Sequence, residues 1–515
     1  MHQIILTTLN ARYSHSAIGL RYLYANLGEL TDSAVLLEFT NNDRVTEICE
    51  QLLAHSPRII GIGVYIWNVS QVGQLVQLLK KVAPQVIVVL GGPEVTHLPH
   101  RVDLSSADHH IRGEAEHAFR ILCKRLLSGA TNIPQVIDAG PVDPNSLVSP
   151  YHLYTDSDIA HRVIYVEASR GCPFSCEFCL SSLERGVRRF ALDGFLSELD
   201  QLWQRGARQF KFIDRTFNLG LKSVTTILDF FLARQPPYFL HFEVVPDHLP
   251  EALRSRLQRF SPGTIQLEVG IQTLQPHTAA VIRRRLNIDA IEKNLRFLDQ
   301  ETAVHMHVDL IIGLPGERLE EFADNLNRLV HITSSEIQLG ILKKLSGTRI
   351  NRHDREFGMI YSDEPPYEIL ASDLIPFALM QEMKRFARFW DLVYNSGNFT
   401  STAVLLWPDQ DVFTGFRRFA AWVYRQTTAT WQISLNRLAE LLFDYLVNDC
   451  GNPAKEVANS LAADLLRIPG RVLPASIRTH VTRLPTTTRS VPAGLGKRQK
   501  KRLYQAPSSS RTPAT

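Results

Sequence analysis

Three of the chain's six cysteines stand within eight residues, Cys172-Pro-Phe-Ser-Cys176-Glu-Phe-Cys179, at a C-x3-C-x2-C spacing. Soft thiolates favour zinc, Cu(I) or iron–sulfur clusters. A four-coordinate zinc site would show a second C-x2-C pair or nearby histidines to close its tetrahedron, and none accompanies this motif. Cys49, Cys123 and Cys450 are singletons far away in sequence. Three thiolates therefore most naturally hold three corners of a cubane cluster and leave its fourth iron open to bind a small molecule. Three merely buried or disulfide-linked cysteines would account poorly for such clustering in a chain so low in cysteine.

The motif must be positioned by its surroundings. Six apolar segments run in order, VIYVEAS, FKFID, FLHFEVV, TIQLEVGIQT, HMHVDLIIGLP and EIQLGILK, each separated from the next by a helical pattern long enough for a right-handed crossover. They predict a partial (β/α)6 barrel over residues 161–345. The cysteine loop follows its first strand, at the carboxyl end where such barrels carry their chemistry.

Residues 1–130 also alternate apolar strands (IILTTL, AVLLEF, IIGIGVY, VIVVLGG, HHIRGE) with amphipathic helices. Continuous apolar strands of this kind predict a Rossmann-like, flavodoxin-type doubly wound parallel sheet, so that the fold class is α/β. Its ligand crevice would lie outside the strand ends, at residues 10–19, 65–68, Gly91-Gly92-Pro93-Glu94 and Arg112-Gly113-Glu114. Taken alone, Gly-Gly-Pro reads equally well as an ordinary turn. Residues 131–160, rich in Pro, Asp and Ser, read as a linker, and 346–480 as a mainly helical domain. The aromatics over 399–431 read as packing in its core. Residues 481–515 read as a disordered basic tail.

Composition narrows the setting. Among 515 residues the net charge is only +4, and the basic run at 497–502 supplies part of it, so bulk charge argues against a nucleic-acid partner. The first residues lack a basic n-region and a long apolar h-region, and the longest apolar runs fall short of a membrane span. A cytoplasmic protein is expected, in a compartment that keeps thiols reduced.

With Phe178 in its aromatic place, the motif resembles the radical S-adenosylmethionine (radical SAM) signature C-x3-C-x-aromatic-C. A Rossmann-like module directly before it resembles the B12-binding, cobalamin-dependent branch of that superfamily, in a subgroup with its own C-terminal domain. The resemblance implies a 4Fe–4S cluster on Cys172, Cys176 and Cys179, with SAM chelated by the open iron and cleaved to a 5'-deoxyadenosyl radical. It also implies cobalamin near Gly91, Gly92 and Pro93, and an external electron donor such as flavodoxin or ferredoxin. Several strand ends are similar to those of the branch containing oxygen-independent coproporphyrinogen oxidase. On that likeness Phe178 packs near adenine, and Asp214 marks a strand end where backbone groups meet the SAM amine. Glu243, Gln272 and Asp309 hydrogen-bond the amine or ribose hydroxyls, while Arg284 meets the carboxylate, with Arg283 and Arg285 as adjacent competitors. Polar networks inside the barrel are the plainer reading of each. The D-x-H-x-x-G string of domains that ligate cobalt through histidine is absent, and His15 precedes Gly19 at the wrong spacing. Methylation of an unactivated carbon is the activity the resemblance favours. Cobalamin-dependent rearrangement or redox chemistry, and a non-catalytic sensor, are the alternatives.

Overall fold

All seven residues of β1 (Ile4–Asn10) are buried, and its side chains alternate between two layers. Ile5 and Leu9 pack with Ile48 and Leu52 of α2 (Val45–Leu53) and with Val72, Val76 and Leu79 of α3 (Val69–Val82). Ile4 and Leu6 face the other way, onto Leu20 of α1 (Ile18–Ala25) and onto Phe119, Leu122 and Cys123 of α5 (Glu116–Leu127). A strand that is buried at every position needs cover on both faces, and helices supply it. The remaining strands are β2 (Ala34–Thr40), β3 (Ile59–Gly63), β4 (Ile87–Gly91), β5 (His109–Arg112) and β6 (Val136–Asp138), in the order β2-β1-β3-β4-β5-β6. Their pairing is parallel, with Ile4 opposite both Ala34 and Ile59. This is flavodoxin-type order, and the direction of winding reverses between β1 and β3.

The structure is a computed structural model in which residues 2–483 are described. The chain divides into two compact units. The first comprises Met1–Phe217, Lys343–Arg352 and Tyr361–Glu368; the second comprises Asn218–Leu342, His353–Ile360 and the chain from Ile369 onward.

The 131–160 segment differs from the expected linker. It supplies β6, and it supplies α6 (Asp156–His161), whose N-terminus carries a capping box between Thr155 and Asp158. A three-residue strand is too short to show a period in sequence. Asp158 also joins a buried ion cluster: Arg21 lies 2.9 Å from Glu38 and 3.0 Å from Asp158, and Arg162 lies 2.7 Å from Glu38. Arg21→Met would leave two buried carboxylates with Arg162 as their remaining counter-ion. We expect a loss of about 3 kcal/mol in unfolding free energy, measured by denaturant titration.

The first unit continues with β7 (Ile164–Val166), the short pair β8 (Ser169–Arg170) and β9 (Arg188–Arg189), α7 (Leu192–Gln204) and β10 (Gln209–Phe212). β7 and β10 pair in parallel. In the second unit β11 (Phe239–Val244), β12 (Ile265–Gln272), β13 (His305–Ile312) and β14 (Glu336–Ile341) pair in parallel in sequence order. Buried and half-buried residues alternate strictly along β12 and β13. One face is apolar, and the other carries Gln266, Glu268, Gly270 and Gln272 beside His305, His307 and Asp309.

The C-terminal region is helical, as expected, and most of the aromatics over 399–431 pack in the core, whereas Trp431 is exposed. Trp390 of the helix Phe377–Trp390 is fully buried, and Phe386 stacks 6.0 Å from it while Phe416 meets it edge-on at 5.0 Å. Most of the expected basic tail, from 484 on, lies outside the described residues. Among the described residues no helix is long and apolar enough to cross a membrane.

Candidate functional site

The cysteine loop is the connection of a small hairpin. β8 and β9 pair antiparallel, Ser169 opposite Arg189 and Arg170 opposite Arg188. Gly171 adopts φ +88°, and a Cβ there would lie 2.2 Å from the carbonyl oxygen of Gly186, so the turn into the motif accepts only glycine. The Gly186 amide donates to the Cys172 carbonyl at 3.2 Å, and the Ser182 hydroxyl lies 2.8 and 2.7 Å from the carbonyls of Cys176 and Cys179. The intervening Glu177 is buried and accepts from Arg352 at 2.8 Å. These bonds tie the loop's backbone to the protein.

None of the three motif cysteines is in a disulfide; Cys172 and Cys176 are buried, and Cys179 is half-buried with Phe178 beside it. Burial pushes the Cys172 thiol up, and the neighbouring Cys179 and Cys176 push it further. Among the described residues no three ligand side chains are gathered tightly enough to share one metal ion. In a cluster each thiolate binds a separate iron, so a wider spacing suits it. Three partly shielded thiols on one pinned loop fit an iron–sulfur cluster by donor chemistry.

Asp214, just beyond β10, holds the segment leading into that loop. Its carboxylate accepts from the Ser169 hydroxyl at 2.5 Å and from the Ala168 amide at 3.0 Å. Burial raises its pKa to about 7 despite those two donors. A carboxyl whose folded pKa lies above its unfolded value is favoured by folding in its protonated form. That contribution is complete below about pH 4 and disappears as pH rises through about 7. Relative to Asp214→Asn, the wild type should lose on the order of 4 kcal/mol of stability between those limits, which paired denaturant titrations across pH would show.

Beyond the carboxyl ends of β3, β4 and β5 lies a cavity of about 180 Å³ within the first unit. Its floor is glycine: Gly19, Gly61, Gly63, Gly91, Gly92 and Gly113 all line it. A Cβ on Gly61 would come within 2.8 Å of the Phe119 ring across the cavity. Gly92 adopts φ +107°, and a Cβ there would lie 2.6 Å from the Val64 carbonyl oxygen. Pro93 opens the short helix Pro93–Thr96 and is not part of the lining. Tyr65 closes one side, stacked on Trp67 at 4.5 Å with the rings 4° from parallel. Glu116 borders the cavity, and its buried Oε2 has no hydrogen-bond partner. Backbone exposed at six glycines, with an orphaned acceptor beside it, suits close approach by a ligand bearing amide donors, as cobalamin does. His15 is engaged elsewhere, its Nδ1 2.5 Å from the Tyr165 hydroxyl.

The other four expected SAM contacts lie in the second unit. Glu243 stands opposite Glu268, and Asp309 opposite Gly270. A bulge between Gly270 and Gln272 shifts the register and puts Gln272 at φ +72°. Gln272 and Arg284 both fold over Gly270: a Cβ there would be 2.7 Å from Gln272 Nε2 and 3.8 Å from the Arg284 guanidinium, which donates to the Gly270 carbonyl. Arg283 and Arg285 are exposed, whereas Arg284 is half-buried, so of the three Arg284 is the one turned onto the strand. Behind them Glu317 is buried and accepts from Thr273 at 2.6 Å and Asn325 at 3.0 Å, joining the turns that follow β12 and β13. Burial raises its pKa to about 8.

Sequence reasoning missed the ion pairs at the base of the cysteine hairpin, among Arg170, Arg188, Glu114 and Glu116. The available signal was charge immediately flanking a metal motif, in EASRGC and RGVRR, opposite a strand-end Glu114.

A flavodoxin-type domain with a glycine-floored cavity, followed by strands carrying a three-cysteine hairpin, defines the class. Residues 4–123 match the B12 binding domain, residues 166–329 the radical SAM superfamily, and residues 355–485 a family described as a protein of unknown function (DUF4080). The chain therefore joins a region matching the B12 binding domain to one matching the radical SAM superfamily, and solved structures of similar fold hold cobalamin, a 4Fe–4S cluster and SAM.

The chain is 24% identical over 372 residues to the uncharacterized methyltransferase PH0819 of Pyrococcus horikoshii, covering 65% of this chain and 77% of that one. It is 24% identical over 346 residues to the cobalamin-dependent radical SAM methyltransferase TokK of Streptomyces tokunonensis, spanning 56% of this chain and 47% of that protein. Its fold is similar to that of OxsB, a cobalamin-dependent SAM radical enzyme solved with aqua-cobalamin and SAM bound. The TM-score is 0.62 at 13% identity, over 93% of this chain and 82% of that one.

Proposed function

We propose that the protein is a cobalamin-dependent radical SAM methyltransferase acting on an unactivated carbon of its substrate. The observation that carries this reading is the presence, within one compact unit, of the three-thiol hairpin and the glycine-floored cavity. When bound, the cluster supplies the electron that cleaves SAM to a 5'-deoxyadenosyl radical, and cobalamin supplies a methyl carrier.

The chain's own residues do the rest. Cys172, Cys176 and Cys179 hold the cluster through three irons, and the bonds from Gly186 and Ser182 keep their backbone in place. Asp214 fixes the approach to the loop. Glu243, Gln272 and Asp309 offer acceptors for an amine or vicinal hydroxyls, and Arg284 offers a guanidinium fork for a carboxylate, in keeping with the groups SAM presents. The mainly apolar lining of the cavity would limit water around the corrinoid. The relatives named methyltransferases favour methylation over rearrangement.

The test uses the reduced, cluster-loaded full chain incubated anaerobically with SAM, with and without hydroxocobalamin and methyl donor in excess. S-adenosylhomocysteine should form only when cobalamin is present. Formation of 5'-deoxyadenosine alone, unchanged by cobalamin, would argue against methyl transfer.

A further inference from the structure

The two arginines that close the cysteine hairpin stand directly opposite each other, Arg170 on β8 and Arg188 on β9. Like charges at such a cross-strand pair repel and destabilise the pairing. Here carboxylates of the cavity wall surround them. Arg188 makes a two-pronged pair with Glu114, at 2.6 and 2.8 Å. Arg170 lies 2.8 Å from Glu116 and 3.7 Å from Glu114, and its other edge is held by Glu167 at 2.8 and 2.9 Å. Tyr22 packs against the Arg170 guanidinium, 4.7 Å from ring centroid to Cζ. The side chains of Arg170, Glu114, Glu116 and Glu167 are all at most 13% exposed, so the Arg170 pairs are shielded from water and salt, while Arg188 is 29% exposed.

Glu114 and Glu116 are also lining residues of the glycine-floored cavity, and Gly171 and Cys172 follow Arg170 directly. One set of charges therefore serves both structures. The hairpin's closing pair depends on carboxylates fixed in the cavity wall, and the wall's two acidic side chains are held in place by the hairpin's guanidiniums. Glu116 uses one oxygen for Arg170 and leaves the other buried and unpartnered, so a ligand donor reaching Glu116 would meet a side chain already oriented by the cysteine hairpin.

We infer that Arg170 and Arg188 are positioning residues that couple occupation of the corrinoid cavity to assembly of the cluster loop, each event favouring the other. The inference rests on the cobalamin and cluster reading given above. By linkage the coupling is reciprocal: if cluster loading tightens cobalamin binding by some factor, cobalamin tightens retention of the cluster by the same factor.

The experiment titrates hydroxocobalamin into the full chain under anaerobic conditions, before and after cluster reconstitution, following the visible spectrum of the bound corrinoid. In the wild type the cluster should lower the Kd by about 5-fold or more. In Arg188→Met and in Glu114→Gln both cofactors should still bind, but the ratio of the two Kd values should fall to near one. Glu114→Gln keeps the side chain's size and decides the matter if Arg188→Met does not fold. A wild-type ratio of one, or a wild-type ratio retained in Glu114→Gln, overturns the inference while leaving the function intact. Failure of the wild type to bind hydroxocobalamin overturns both.

Discussion

Cys176→Ala should strip the protein of its metal and its chemistry while leaving it folded. Anaerobic reconstitution of the wild type should give about four irons and four sulfides per chain, and the variant should fall below about one of each, since two thiolates cannot hold a cubane. Cys176 is buried on a loop whose backbone is held by Gly186 and Ser182. Deleting one sulfur there should cost about 1 kcal/mol of stability. Loss of cluster absorbance with a nearly unchanged melting temperature separates ligand loss from unfolding. Formation of 5'-deoxyadenosine should drop to background. The same change at Cys123 should behave differently: that thiol is buried between α5 and the sheet, and burial raises its pKa to about 12, so it packs as an apolar group and has no part in metal binding.

Gly61→Val should remove cobalamin and spare the cluster. Valine suits a strand, so the backbone of β3 accepts it, but its Cβ would lie 2.8 Å from the Phe119 ring and 3.1 Å from Leu6. Both neighbours are packed core residues and cannot retreat freely. Overpacking of this kind costs about 1–3 kcal/mol of stability, which a domain of this size tolerates. The cavity is then occupied by protein. Binding of hydroxocobalamin should weaken by at least about 100-fold, roughly 3 kcal/mol, measured by equilibrium titration or by corrinoid retained through gel filtration. Iron content should stay near the wild-type value. Undiminished cobalamin binding would place the corrinoid elsewhere on the molecule.

The fold was legible where one physical demand governs each residue. Strands such as IILTTL and IIGIGVY carry no charge and are mostly apolar because helices cover both faces, and that demand is written in consecutive residues. The alternation of TIQLEVGIQT likewise announces a strand with one polar face, and the cysteine spacing announces its own chemistry. What escaped was non-local. Arg170 meets Glu116 and Glu114, more than fifty residues upstream, and no local pattern names the partner. Arg21 finds Asp158 inside a segment whose composition reads as linker. Asp214 stood out at a strand end, but the use of its carboxylate to hold Ser169 follows only from tertiary placement. The bulge that turns Gln272 over Gly270 is a backbone feature with no signature beyond the glycine itself.

The central claim is that this chain uses a three-cysteine cluster to cleave SAM. The most direct measurement incubates the anaerobically reconstituted full chain with SAM and a strong reductant, and quantifies 5'-deoxyadenosine by mass spectrometry beside the Cys176→Ala control. 5'-Deoxyadenosine should accumulate with time in the wild type and be absent from the control. No 5'-deoxyadenosine from protein whose cluster is intact and reduced would contradict it.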